Sequence, residues 1–238
     1  MNLIVFYVMG SLATVTMLLP FLAGWGRRTE LSRAQHLFLL YVSIEFVLQL
    51  GSFVLGRLAL NNHWLAYLVT PVETAVILAT FSLWQIDEGM RRALRIAAPL
   101  MLLFWVPPLL RWEPSTSFSI GIDSIQAILC LAAAAYTVVR RSMDTAEQAQ
   151  TQDWFLIGAG VMLSFATFAL MGPLSSYLVK RSVETAYAVL SVQAGAQLLA
   201  NVLYYHGMRC PLNPQRSGLS IFPPSWWGRF SWSRSGPR

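Results

Sequence analysis

Residues 36–59 read HLFLLYVSIEFVLQLGSFVLGRLA, an apolar run broken only by Glu45 at depth and Arg57 near its far end. As a helix rising 1.5 Å per residue, such a run spans a hydrocarbon core of about 30 Å. Six further stretches share the pattern, near 2–25, 64–85, 93–110, 118–139, 153–171 and 175–206. The fourth of the seven is the shortest and ends on Pro107-Pro108. Composition agrees: 55% of residues are hydrophobic, 12% are charged and the mean hydropathy is +0.52. A soluble domain carries about 25% charged residues. The expected fold is an all-α membrane protein, a seven-transmembrane-helix bundle over residues 1–207 with a tail over 208–238.

The connections set the expected direction. Arg27, Arg28 and Arg33 follow the first span, Arg91, Arg92 and Arg95 the third, and Arg140 and Arg141 the fifth. The tail side adds Arg209, Arg216, Arg229, Arg234 and Arg238. Only Arg57, Arg111, Lys180 and Arg181 fall on the other side. The positive-inside rule makes the richer side cytoplasmic, and an odd number of spans puts the N-terminus outside. No basic residue precedes the first apolar run, so it is expected to stay as a span and not to act as a cleaved signal. Trp25, Trp64, Trp84, Trp112 and Trp154 all fall near span ends, where amphipathic rings suit the interface.

Two spans share a signature. Tyr67-Leu68-Val69 and Val72-Glu73-Thr74-Ala75 are matched by Tyr177-Leu178-Val179 and Val183-Glu184-Thr185-Ala186, with one extra residue in the second spacing. The match suggests two parallel three-helix units joined by the fourth helix, a 3+1+3 plan. It also starts the seventh helix before Lys180 and puts Lys180 and Glu184 on one helix face.

Ionisable groups inside apolar spans are costly and are candidates for function. Glu45 lies nine residues from the start of its span and Glu73 nine from the start of the next, each about 13 Å deep from opposite faces. Close carboxylates in a low dielectric do not both ionise cheaply, so the pair is expected to be able to share a proton. Tyr41, Gln49, Ser52 and Gly56 extend a polar stripe around Glu45. Gln193, Gln197 and Asn201 form another, and Asp123, Gln126 and Cys130 a third. Structural hydrogen bonding between helices competes with a solute or proton path as the meaning of these stripes.

Other chemistry is missing. There is no H-E-x-x-H and no phosphate-cradling glycine loop. Cys130 and Cys210 are too few for a disulfide framework or a zinc site. His36, His63 and His206 stand at span ends, which argues against metal and against pigment ligation at depth. Retinal would need a lysine in the middle of the last span, where Ser191, Gln193, Ala194 and Gly195 stand instead. The expectation is no enzyme and no intrinsic cofactor, with lipid or quinone contact left open.

The tail differs in kind. Phe222, Trp226, Trp227, Arg229, Phe230 and Trp232 alternate with prolines that forbid a continuous helix. Trp and Arg are favoured anchors at protein interfaces and at headgroups. A protein docking segment is the expected role, a membrane-surface anchor the alternative; nucleic acid is not an expected partner.

Ser43-Ile44-Glu45-Phe46, Asn61-Asn62-His63-Trp64 and Thr70-Pro71-Val72-Glu73 resemble a bacterial family of small heptahelical membrane proteins without assigned activity. In size and plan the chain is similar to heptahelical accessory subunits of double-ring photosynthetic reaction-centre–light-harvesting complexes. That resemblance implies a non-catalytic, pigment-free scaffold subunit in a bacterial inner or intracytoplasmic membrane, among lipid and protein partners. It carries over no site residues. The alternative from the residues themselves is a proton-coupled small-molecule transporter or seven-helix receptor built on Glu45 and Glu73.

The orientation has a direct test. A cysteine replacing Arg28 should react with a membrane-impermeant maleimide only after the cells are opened, and one replacing Asn61 in intact spheroplasts; the reverse pattern would invert the topology.

Overall fold

The computed structural model describes residues 2–58, 60–111, 121–144, 152–179 and 181–210. Among these every regular element is helical: α1 (Asn2–Thr16), α2 (Leu18–Gly26), α3 (Arg33–Arg57), α4 (His63–Trp84), α5 (Glu88–Arg111), α6 (Gly121–Asp144), α7 (Asp153–Val179) and α8 (Val183–Arg209). The first two make one rod. Pro20 lacks an N–H and its ring crowds the carbonyl four residues back, that of Thr16, where α1 ends. Helical turns resume at once, with Phe21 N–H reaching the Met17 carbonyl.

Five stretches are long and apolar enough to cross a membrane: Ile4–Gly26, Arg33–Gly56, Tyr67–Trp84, Asp153–Met171 and Glu184–Arg209. Helices α5 and α6, of 24 residues each, cover the other two expected stretches and are not among these five. Outward-facing Leu40, Val47, Leu103, Leu170, Val192 and Leu199 are exposed. An apolar outer surface of this kind suits hydrocarbon as its solvent.

The packing pattern defines a ring. The α1–α2 rod lies against α3 and α8, α3 against α4, α4 against α6, α6 against α7, and α7 against α8. Helix α5 stands apart and packs chiefly on α4. Its attachment follows from a second proline. Pro71 lies inside α4 and leaves the Tyr67 carbonyl without its helical donor. The buried Trp105 indole N–H of α5 donates to that oxygen at 2.9 Å.

One end of the ring is sealed. Trp154, Tyr204, Phe38, Phe81, Ile157 and Met208 are fully buried there, at the starts of α3 and α7 and the ends of α4 and α8, together with Met17 from the joint of α1 and α2. Phe38 meets Tyr204 edge-on at 4.9 Å and Phe81 meets Trp84 at 5.6 Å. Helices α7 and α8 approach closely: a Cβ on Gly160 would lie 2.5 Å from the Tyr204 ring, and one on Gly207 2.6 Å from Ile157. Arginines finish this end by satisfying the last helical carbonyls. Arg27 donates to the Arg209 carbonyl, Arg91 to that of Gln85 and Arg141 to that of Trp84. Ser32 and Gln35 form a capping box at the start of α3, and Gln35 Nε2 reaches across to the Gly207 carbonyl at 3.2 Å.

Two expectations change. Helix α7 runs through Gly172-Pro173 to Val179, and the last helix starts only at Val183, capped by Ser182. The Tyr177-Leu178-Val179 half of the repeat signature therefore closes α7 while Val183-Glu184-Thr185-Ala186 opens α8, whereas both halves of the first copy lie within α4. Glu184 belongs to the first turn of α8, so it shares no helix with position 180, which is outside the described residues. Trp84 and Trp154 do sit at helix ends, but both point into the sealed core; Trp25 and Trp64 are exposed. Arg141 covers Trp154 at 5.6 Å and closes the helix end over it.

Replacing Trp105 by Phe keeps an aromatic ring, smaller than the indole, and removes the donor from the Tyr67 carbonyl. A loss of about 1–3 kcal/mol is expected for a buried acceptor left without its partner. Denaturation of the purified protein measures it; an unchanged midpoint would mean that the proline break is satisfied in another way.

Candidate functional site

At the opposite end the ring does not close tightly. Phe6, Gly10, Ala13 and Thr14 of α1 begin the wall of a central cavity of about 380 Å³. Tyr41, Glu45, Leu48 and Gln49 of α3, Thr70 and Glu73 of α4, and Gln126 of α6 continue it. Ser164, Phe165 and Phe168 of α7 and Leu190, Gln193, Ala194 and Gln197 of α8 complete it. Every rod of the ring thus contributes, and α5, which stands outside it, does not.

Both expected carboxylates reach this space. Glu73 is buried, on the turn that follows the Pro71 break. Glu45 is half-buried and accepts a 2.9 Å bond from Gln49 Nε2. Beside Glu73, the Thr70 carbonyl accepts from Thr74 Oγ1 at 2.8 Å and from Gln126 Nε2 at 3.5 Å. No lysine, arginine or histidine stands among the described lining residues.

A polar chain leads from the cavity towards the sealed end. Ser164 Oγ donates to Gln197 Oε1 at 2.6 Å, and Gln197 Nε2 donates to Asn201 Oδ1 at 3.1 Å. Asn201 Nδ2 donates to the Ala13 carbonyl at 2.9 Å and to Thr16 Oγ1 at 3.1 Å, tying α8 to the last turn of α1. Below it Tyr204 is wholly buried, its ring edge-on to Phe38.

Of the expected polar stripes, Tyr41, Glu45 and Gln49 face the cavity together, as do Gln193 and Gln197. Asn201 stands behind them as a structural link. Ser52 and Gly56 lie instead beside Asn62, which donates to the Ser52 carbonyl at 3.0 Å. Gln126 lines the cavity while Cys130 is core; the Asp123 side chain lies outside the described residues. The tail residues Phe222, Trp226, Trp227, Arg229, Phe230 and Trp232 also lie outside them. Thr14, Thr70, Ser164 and the three phenylalanines escaped the sequence reading. A lone hydroxyl in an apolar helix usually bonds its own backbone, so nothing in the spacing marks it.

Other chemistries find no second site among the described residues. Among the described residues no group of three or more His, Cys, Asp or Glu is placed to hold a metal ion. The Cys210 thiol, just past α8, is pushed up to about 11 by burial and by Asp153, against the pull of Arg27, so it is no nucleophile at neutral pH.

Fold and site together define an all-helical protein, with several helices apolar enough for a membrane, around an acidic, aromatic-lined cavity. No family model matches the chain, and no curated protein or solved structure is similar to it.

Replacing Asn201 by Leu removes three bonds between α8, its own turn and α1. At about 0.6 kcal/mol for each of the two bonds that cross to α1, the expected loss is about 1 kcal/mol. Unfolding measured against the parent chain checks it, and an unchanged midpoint would show the polar chain to be dispensable for assembly.

Proposed function

We propose that the chain is a seven-span membrane protein with its N-terminus outside, and that it moves a small solute in exchange for protons. The observation that carries this reading is the cavity itself: six rods build one space, and the carboxyl groups of Glu45 and Glu73 both face it. A scaffold subunit needs no such space. Its helices gain more from close packing, as the sealed end of this bundle demonstrates. A carboxylate at depth can alternate between a proton and a solute, which couples the two. The sealed and open ends give the ring the asymmetry expected of one access state of a carrier. The excess of arginine at the sealed end supports placing that end in the cytoplasm.

The second reading is a non-catalytic accessory subunit of a larger bacterial membrane complex, most naturally photosynthetic. It is favoured by the Trp- and Arg-rich tail and by the resemblance of the α3–α4 region. Under it, mild solubilisation of native membranes should yield the chain with a bacteriochlorophyll-absorbing complex, and deleting residues 216–238 should release it.

Reconstituted vesicles with an imposed proton gradient decide between the two. A panel of amines, amino acids, sugars and carboxylates should contain a solute that accumulates and leaks away with a protonophore. Uptake should fall at least tenfold in Glu45→Gln and Glu73→Gln, with both variants still monodisperse. Accumulation of no panel member, or normal uptake in both variants, would sink the carrier.

A further inference from the structure

The arginine-rich end carries a feature that the cavity does not explain, and we propose that it binds one anionic phospholipid in the furrow between α3 and α4. Its occupancy depends on the membrane setting and not on what the cavity carries. Arg33, His36 and Leu37 of α3 and Leu83 of α4 line this open furrow of about 340 Å³. Positions 33, 36, 37 and 40 share one helical face, being three and four residues apart. On that face Arg33, His36 and Leu40 are exposed. Charge therefore stands above an apolar slot, the order in which a phospholipid presents its phosphate and its acyl chain.

The charge is also uncompensated within the protein. Other arginines of this end are engaged: Arg27 with Glu30 and the Arg209 carbonyl, Arg91 with Glu88 and the Gln85 carbonyl, Arg141 with the Trp84 carbonyl. Arg33 makes no hydrogen bond or ion pair with any described residue. The nearby carboxylates are committed elsewhere. The first turn of α3 holds no acidic residue, Glu30 and Glu88 pair with Arg27 and Arg91, and Asp87 accepts from the Gly89 N–H and from Tyr136 of α6. Arg33 is moreover the first residue of a 25-residue helix. A helix N-terminus is the positive end of its dipole, so a cation there gains from an anion beside it. The capping box already serves the backbone N–H groups of Ser32 and Gln35, and the guanidinium fork is the group that would receive a phosphate. Nδ1 of His36 donates to the Ser32 carbonyl at 3.0 Å, which fixes the ring as a wall of the furrow.

A free phosphate would use Arg33 and leave the slot below it empty. The same face continues through Leu37 and Leu40 to Ile44, about 16 Å further along the helix and close to the half-thickness of a hydrocarbon core of about 30 Å. That length suits one acyl chain of the adjacent leaflet, and basic pockets between spans receive anionic headgroups. Arg92 and Arg95 of α5 are exposed at the same end but do not line the furrow.

The test uses the purified full chain in micelles holding equal amounts of dioleoylphosphatidylglycerol and dioleoylphosphatidylcholine, read by native mass spectrometry. One phosphatidylglycerol should be retained about fivefold or more over phosphatidylcholine. Arg33→Gln should abolish that preference, and Arg33→Lys, which keeps the charge but not the fork, should keep part of it. Arg33 is exposed, so both variants should unfold at the parent's midpoint when no lipid is added. Arg92→Gln combined with Arg95→Gln should leave the preference unchanged. Equal retention of the two lipids by the parent, a full preference in Arg33→Gln, or an equal loss in the Arg92 and Arg95 control overturns the inference. So does displacement of the lipid by excess inorganic phosphate. A preference that appears only after residues 216–238 are deleted gives the furrow to the tail and overturns it as well.

Discussion

A carbonyl oxygen in an apolar surrounding has to be given a donor, and the Tyr67 carbonyl shows how much of this architecture follows from that demand. Pro71 takes away its helical partner. The replacement comes from Trp105, so the helix that carries Trp105 is fixed against α4 from outside the ring. With α5 held there, α4 is free to turn its other side inward. That side presents Thr70 and Glu73, one on each flank of the proline. The outer helix and the acidic cavity wall are thus two results of a single missing N–H.

The two ends of the ring apply opposite rules to the same materials. At the arginine-rich end, aromatic and aliphatic side chains interlock, glycines let α7 and α8 approach, and charged groups are kept to the rim as caps for helix ends. At the other end the interior is polar, loosely filled and lined by two carboxyl groups. Packing density and buried polarity are both costly to arrange in one core, and separating them along the axis avoids the conflict. The chain Ser164–Gln197–Asn201–Thr16 marks the boundary between the two regimes.

Much of this was readable beforehand, for definite reasons. Long apolar runs announce helices whatever their neighbours do, and a glutamate inside such a run stands out because its burial is costly. Glu45, Glu73, Gln49, Gln126, Gln193 and Gln197 were legible on that ground. The join at 180–182 was not, because its few polar residues are outweighed by the apolar stretches on both sides. The inward direction of Trp84 and Trp154 was hidden as well, since a tryptophan at a helix end reads alike whether it meets lipid or core. The order of the ring, with the fourth rod outside it, depends on contacts far apart in sequence. The breaks at Pro20 and Pro71 went unread too, although counting four residues back from each locates the interrupted bond.

The break after Thr16 has a mechanical consequence. A continuous helix resists bending along its whole length, but the first rod consists of two pieces joined at Met17. The lower piece is clamped by Met208 and Leu39 against Gly24. The upper piece forms one wall of the cavity and is tied at its base by the two bonds of Asn201. Stiffness is therefore uneven around the cavity: two of its walls, α1 beside Pro20 and α4 at Pro71, have an interrupted helical hydrogen bond, and the other four do not owe their continuity to a proline at cavity level.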